Sequence, residues 1–137
     1  MEVAPYLFFS GNCEEALNFY KDLFDGEIAE LSRVKDAGPE HGGSPDRGEK
    51  IMHATFKSKT FTFMASDSRP DTKYGESRIS LSIGTDDVKE GQRLFDALAA
   101  GGNVEMPFQD MFWGAKFGML TDRFGIDWMV NCQLVPR

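Results

Sequence analysis

Residues 10–26, SGNCEEALNFYKDLFDG, slide without a gap onto residues 85–101, TDDVKEGQRLFDALAAG, at a constant offset of 75 (10 onto 85). Tyr20 falls on Phe95, Leu23 on Leu98, Gly26 on Gly101 and, just beyond, Glu30 on Glu105. In the first copy Ala16, Phe19, Tyr20, Leu23 and Phe24 recur at helical spacing, and in the second Leu94, Phe95 and Leu98 share one face. Asn12 with Glu15 three residues on predicts a capping box, and Gly26 is predicted to stop the first helix. A helix, a glycine stop and a following strand that coincide at one offset indicate an internal duplication.

Working outward, each helix is preceded by one strand-like run and followed by three. Tyr6–Ser10, GEIAELSRV (26–34), IMHATFKS (51–58) and TFTFMAS (60–66) make the first set. RISLSIGT (78–85), NVEMP (103–107), AKFGMLTD (115–122) and IDWMVNC (126–132) make the second. The expected class is therefore α+β: two tandem β-α-β-β-β units, 1–70 and 78–137, within one domain spanning 1–137. Residues 35–50 have no periodicity and are expected to form a loop, with His41 as a solvated loop residue. Residues 67–77 are expected to link the copies.

The bulk numbers exclude several function classes. The 137 residues suffice to bury a core without a disulfide or structural metal. Fifteen Lys and Arg against 22 Asp and Glu leave a net charge of -7, without the basic footprint that phosphate neutralisation needs, so no nucleic-acid partner is expected. No run of about 18 apolar residues could cross a bilayer, and no membrane partner is expected. With no signal-like segment after Met1, a cytoplasmic protein is expected. Cys13 and Cys132 lack C-x-x-C spacing and are expected to be inert small hydrophobes.

The segments PYLFFSGNCEEALNFY (5–20), IMHA (51–54) and the long block 94–132 resemble the PhnB-like family of the vicinal oxygen chelate (glyoxalase, bleomycin resistance, dioxygenase) superfamily. Members of that family often carry the label 3-demethylubiquinone-9 3-methyltransferase domain. The resemblance implies a curved eight-stranded glyoxalase-like sheet, a helix on the convex side of each unit, a concave pocket and a homodimer. It also implies four metal-ligand positions, which fall on Pro5, Met64, Ser80 and Met129 in this chain. These residues suit no hard or borderline divalent ion, so no metal and no cofactor is expected. Methyl transfer gains no support, because the chain lacks the G-x-G-x-x-G turn of a doubly wound donor site.

If Met129 faces the pocket, strand alternation sends Asp127 and Asn131 the same way and packs Trp128 and Val130 under a helix. The same rule sends Thr62, Met64, Ser66, Ser80, Ser82, Leu7 and Phe9 inward. His53 is the one strand histidine: it is either a cross-strand hydrogen-bonding residue or a pocket acid/base. Trp113 and Lys116, beside Gly114 and Gly118, are expected at a strand turn, where they form a pocket rim or a dimer contact. Asp122, Arg123 and Gly125 are expected to make a tight turn without chemistry. The expected ligand contacts are thus Phe9, His53, Met64, Trp113, Lys116, Met129 and Asn131, with His53 and Asp127 as catalytic candidates; with 12 Phe and 7 Met in the chain, the competing reading is plain core filling. The leading expectation is a metal-free dimer that binds a small organic ligand. The alternatives are a lyase, isomerase or dioxygenase using a relocated metal near His53 or acid/base chemistry by His53 and Asp127, and a structural partner for another protein.

Overall fold

The computed structural model describes residues 1–37, 48–67 and 79–134, and the chain divides into two compact units, Met1–Thr72 and Lys73–Arg137. In the first, β1 (Tyr6–Phe9) leads into α1 (Cys13–Phe24), followed by β2 (Glu27–Arg33), β3 (Ile51–Lys57) and β4 (Thr62–Asp67). The second repeats the order with β5 (Leu81–Thr85), α2 (Val88–Ala99), β6 (Asn103–Met111), β7 (Ala115–Thr121) and β8 (Asp127–Gln133). Each unit builds its own four-stranded sheet, β1-β4-β3-β2 and β5-β8-β7-β6. The first strand of each runs parallel to the last, and the other neighbours pair antiparallel. His41 and residues 68–77 of the expected linker lie outside the described residues, whereas Asp67 belongs to β4. Part of the expected loop is ordered as a 3-10 helix, Val34–Ala37, because Arg33 N donates to Asp36 Oδ2 at 3.0 Å and Lys35 N to Gly48 O at 3.0 Å.

The two helices span matching ranges at the offset of 75, but their buried stripes are displaced by three further residues, so that only Ala16 with Gly91 and Tyr20 with Phe95 are buried at both matched positions. α1 buries Cys13, Ala16, Leu17 and Tyr20, and α2 buries Gly91, Leu94, Phe95 and Leu98, each an i, i+3, i+4, i+7 stripe. The α1 stripe centres on Leu17 rather than on the expected Phe19 and Leu23, which stay half-buried. Under α1, Tyr20 meets Phe63 edge-on at 6.1 Å, and Phe63 stacks on Phe56 at 4.9 Å. Under α2, Phe95 stacks on Phe108 at 5.6 Å, beside buried Trp128 and Val130. Gly118 permits that close packing: a Cβ there would stand 2.6 Å from Phe95 Cε2 and 2.9 Å from the Phe108 backbone.

The helix ends differ from the expectation. The Asn12 side chain makes no cap bond, and its Oδ1 is buried without a hydrogen-bond partner. The cap comes from across the sheet instead: Asp67 Oδ1 accepts from Gly11 N and Cys13 N, and its Oδ2 from Ile51 N, all at 2.9 Å. A buried carboxylate thereby ties the start of α1 to β3 and β4 through charge-assisted bonds. α2 has the local arrangement, with Asp87 Oδ1 accepting from Lys89 N and Glu90 N. At the C-terminus of α1 the left-handed residue is Asp25 (φ 54), not Gly26. Gly26 is needed for room, since a Cβ there would meet Phe56 Cζ at 2.6 Å and Lys57 O at 2.8 Å. The turn 122–126 follows the expectation: Asp122 Oδ1 accepts from Phe124 N and Ile126 N, and Gly125 takes φ 94. Asp122 Oδ2 also accepts from Trp128 Nε1 at 2.9 Å, which anchors the core indole.

Candidate functional site

In each unit the helix covers one face of the sheet, and the other face carries the candidate chemistry. In the second unit, strand register sets that open face in two rows. Met106, Met119, Met129 and Ser82 stand opposite one another across β6, β7, β8 and β5. Gln109, Phe117, Asn131 and Gly84 form the next row. Gly84 is exposed, and a Cβ there would meet nothing within 4 Å. Trp113, in the β6–β7 turn, sets its ring edge-on to Phe117 at 5.9 Å, so it borders the row that holds Asn131. Met129 and Asn131 therefore share a face, as alternation requires, and Trp128 and Val130 lie under α2.

Two candidates of this unit stand elsewhere. Lys116 pairs with Cys132 and Asp110 on the helix-covered side, and its Nζ lies 5.2 Å from the centroid of the Phe108 ring. It is one residue out of phase with Phe117 and does not share a face with Asn131. Asp127 is on the open side at the end of β8, but its Oδ1 accepts from Thr121 Oγ at 2.6 Å. That hydroxyl, buried, also lies 3.1 Å from Glu105 Oε1.

In the first unit the open face carries Tyr6, Phe8, His53, Thr55, Met64 and Ser66. The Tyr6 ring leans across β4 to β3, which places its hydroxyl 3.4 Å from His53 Nδ1 with ring centroids 5.9 Å apart. Phe8 packs against Tyr6 at 4.9 Å, and Ser66 beneath them is buried. His53 and Met64 are thus brought to one face. Phe9 is not: it is fully buried, with Leu7, on the side of α1. The cause is a single residue. The register partners Tyr6 with Met64 but Ser82 with Met129, so the first strands correspond at an offset of 76 (6 onto 82), while the helices correspond at 75. The extra residue between β1 and α1 is absorbed where Gly11 takes φ 111, a backbone that a side chain would strain. The shift turns β1 over, and it explains why Tyr6 and Phe8 escape a reading that carries the helix offset into the strand.

The donor set does not fit the divalent metal of the superfamily. Of the positions the resemblance implies, Met64 and Met129 carry thioethers, Ser80 only a neutral hydroxyl and Pro5 no side-chain donor; at the offset of 76 the counterpart of Ser80 is Ala4 rather than Pro5, and it carries none either. Among the described residues no group of three His, Cys, Asp or Glu side chains could hold an ion. The thiols add no nucleophile to either open face. Cys13 and Cys132 are buried, and burial, then neighbouring carboxylates, push both thiols up.

The model of the family described as 3-demethylubiquinone-9 3-methyltransferase matches residues 1–131. Protein YjdN of Escherichia coli (strain K12) is 36% identical, over 96% of this chain and 95% of its own length. Protein PA1353 from Pseudomonas aeruginosa is 43% identical with a TM-score of 0.79, covering 97% of this chain and 98% of that one. A putative 3-demethylubiquinone-9 3-methyltransferase, PhnB protein, from Bacillus cereus is 32% identical with a TM-score of 0.81, covering 96% and 99%. In fold alone the chain is similar to the fosfomycin resistance protein FosX from Listeria monocytogenes, solved with Mn(II) and sulfate, at 11% identity and a TM-score of 0.62, covering 96% and 91%. A family model over nearly the whole chain and relatives matched along almost their full length agree: the chain belongs to the 3-demethylubiquinone-9 3-methyltransferase family, the PhnB-like proteins of the glyoxalase fold.

Proposed function

We propose that the protein binds a small organic ligand on the open sheet faces, as a homodimer, without a divalent metal. The observation that carries this reading is the open-face row of the second unit, where Asn131 stands between Phe117 and the exposed Gly84, with Met129 in the next row and the Trp113 ring against Phe117. Apolar walls with a few placed polar groups are the composition of a ligand site. Asn131 offers one donor and one acceptor to a carbonyl or hydroxyl group, and the rings and thioethers remove apolar surface from water. His53, beside Tyr6 and Phe8, supplies a second polar anchor in the first unit. For the dimer, apolar area is available at the β6–β7 turn, where Phe112 is 96% and Trp113 44% exposed.

Native mass spectrometry of the freshly purified protein tests this. The expected species is two chains carrying an organic adduct, and Gly84→Leu, which sets a bulky side chain beside Asn131, should lose the adduct while keeping the dimer. An adduct that Gly84→Leu retains contradicts the assigned site, and a chain that carries no adduct and gains no thermal stability from any of a diverse set of small organic compounds contradicts the function.

A second reading, acid/base catalysis, is favoured by the contact of Tyr6 with His53 Nδ1, which leaves Nε2 as the ring nitrogen for a ligand. It requires that His53→Ala abolish turnover with little change in melting temperature.

A further inference from the structure

Met119 pairs with Met129 on one side and with Met106 on the other, across three consecutive strands, with β6 irregular on both sides of Met106, and all three methionines are half-buried. Directly opposed residues hold their Cβ atoms about 4.5–5.5 Å apart. The unbranched methionine chain, with three rotatable bonds, allows the two outer thioethers to lean over the central one. We propose that these three methionines form a site for one soft monovalent cation, Cu(I) or Ag(I), held by three thioether sulfurs.

The chemistry of the row is selective. Thioether sulfur is a neutral, polarizable donor that suits soft ions and serves hard divalent ions poorly. Only the Ser82 hydroxyl closes the row on β5, so no carboxylate or imidazole in it invites zinc or manganese. The soft donors that would compete, Cys13 and Cys132, are buried, and a thiol must lose its proton to bind a metal. The corresponding row of the first unit, Glu30, Thr55, Met64 and Tyr6, holds a single thioether and serves as an internal control. The site goes beyond the organic-ligand reading and stands without it.

The test is a titration of the intact protein with silver nitrate in chloride-free buffer, with the methionine ε-methyl groups followed by NMR. The methyls of Met106, Met119 and Met129 should move together and saturate at one equivalent, while those of Met1, Met52, Met64 and Met111 stay in place; zinc should move none of them. Met119→Leu conserves volume. It should abolish the joint movement and weaken Ag(I) binding at least about tenfold, the cost that even outer-shell losses reach at metal sites. Met106→Leu, on the edge strand, should do the same if the central variant folds poorly. Movement spread over all seven methyls, failure to saturate, or Ag(I) binding unchanged in both variants would overturn the proposal.

Discussion

The open faces of the two units differ more than their backbones do. The first presents Tyr6, Phe8 and His53, a ring cluster with hydrogen-bonding heads, and the second presents a thioether row beside Asn131, Phe117 and the exposed Gly84. One inserted residue at Gly11 separates them in register, and one carboxylate separates them in how the helix is held. The lesson is that a duplicated scaffold keeps its element order and strand pairing and diverges in the side chains of the face turned away from the helix.

The carboxylates break the comparison most sharply. Asp67→Ala leaves three N–H groups of the first unit, two of them buried, without this acceptor, and should cost roughly 3 kcal/mol or more in denaturant unfolding, since bonds to charged groups are worth about 1.5–3 kcal/mol each before relaxation. Asn12→Ala, at the nominal cap, breaks no side-chain bond and should change stability by no more than about 0.5 kcal/mol.

Two glycines of the second unit sharpen the difference between its faces. Gly118→Ala drives a methyl into Phe95 and the Phe108 backbone and should cost about 1–3 kcal/mol by the usual penalty for overpacking. Gly84→Ala meets nothing and should stay within about 0.5 kcal/mol of the parent, and urea unfolding of the two variants checks both values.

Asp87→Ala should cost about 1 kcal/mol, the ordinary value of a helix cap, measured by urea unfolding. It should be smaller than Asp67→Ala because its two bonds are local and exposed.

The smallest effect is expected at the ion pair of the first unit, where both Arg33 Nη atoms donate to the Glu14 carboxylate at 2.7 and 3.0 Å. The bond from Arg33 holds the Glu14 carboxyl below its usual value, with the coulombic attraction of Arg33 adding to it. A lowered carboxylate pKa gives stability that is present above the unfolded value and lost as pH falls through the folded one. Arg33→Met should therefore cost less than about 1 kcal/mol at pH 7, because Glu14 is half exposed and water screens the pair, and should cost progressively less on acidification or in high salt.

The fold was legible because one strand run, an apolar helical stripe and three further strand runs recur in the same order, and the Asp122 turn because Asx chemistry is local. The helix caps were not, because Asp67 reaches Cys13 from 54 positions away and no nearby residue signals it. Of the candidate site, His53, Met64, Met129, Asn131 and Trp113 follow from strand alternation and turn position. Phe9 fails through a phase error of one residue that sends its side chain to the opposite face, and Lys116, expected in the turn, lies within β7 on the helix-covered side. Tyr6 and Phe8 were missed with Phe9, although Gly11 just before the helix was the visible sign of a longer connection.

The central claim is that the scaffold has exchanged a divalent-metal centre for side chains that hold an organic ligand directly. Elemental analysis of the freshly purified, tag-free protein tests it most directly. Manganese, iron, cobalt, nickel and zinc are each predicted far below one equivalent per chain; about one equivalent of any of them, lost together with ligand binding on chelation, would contradict the account.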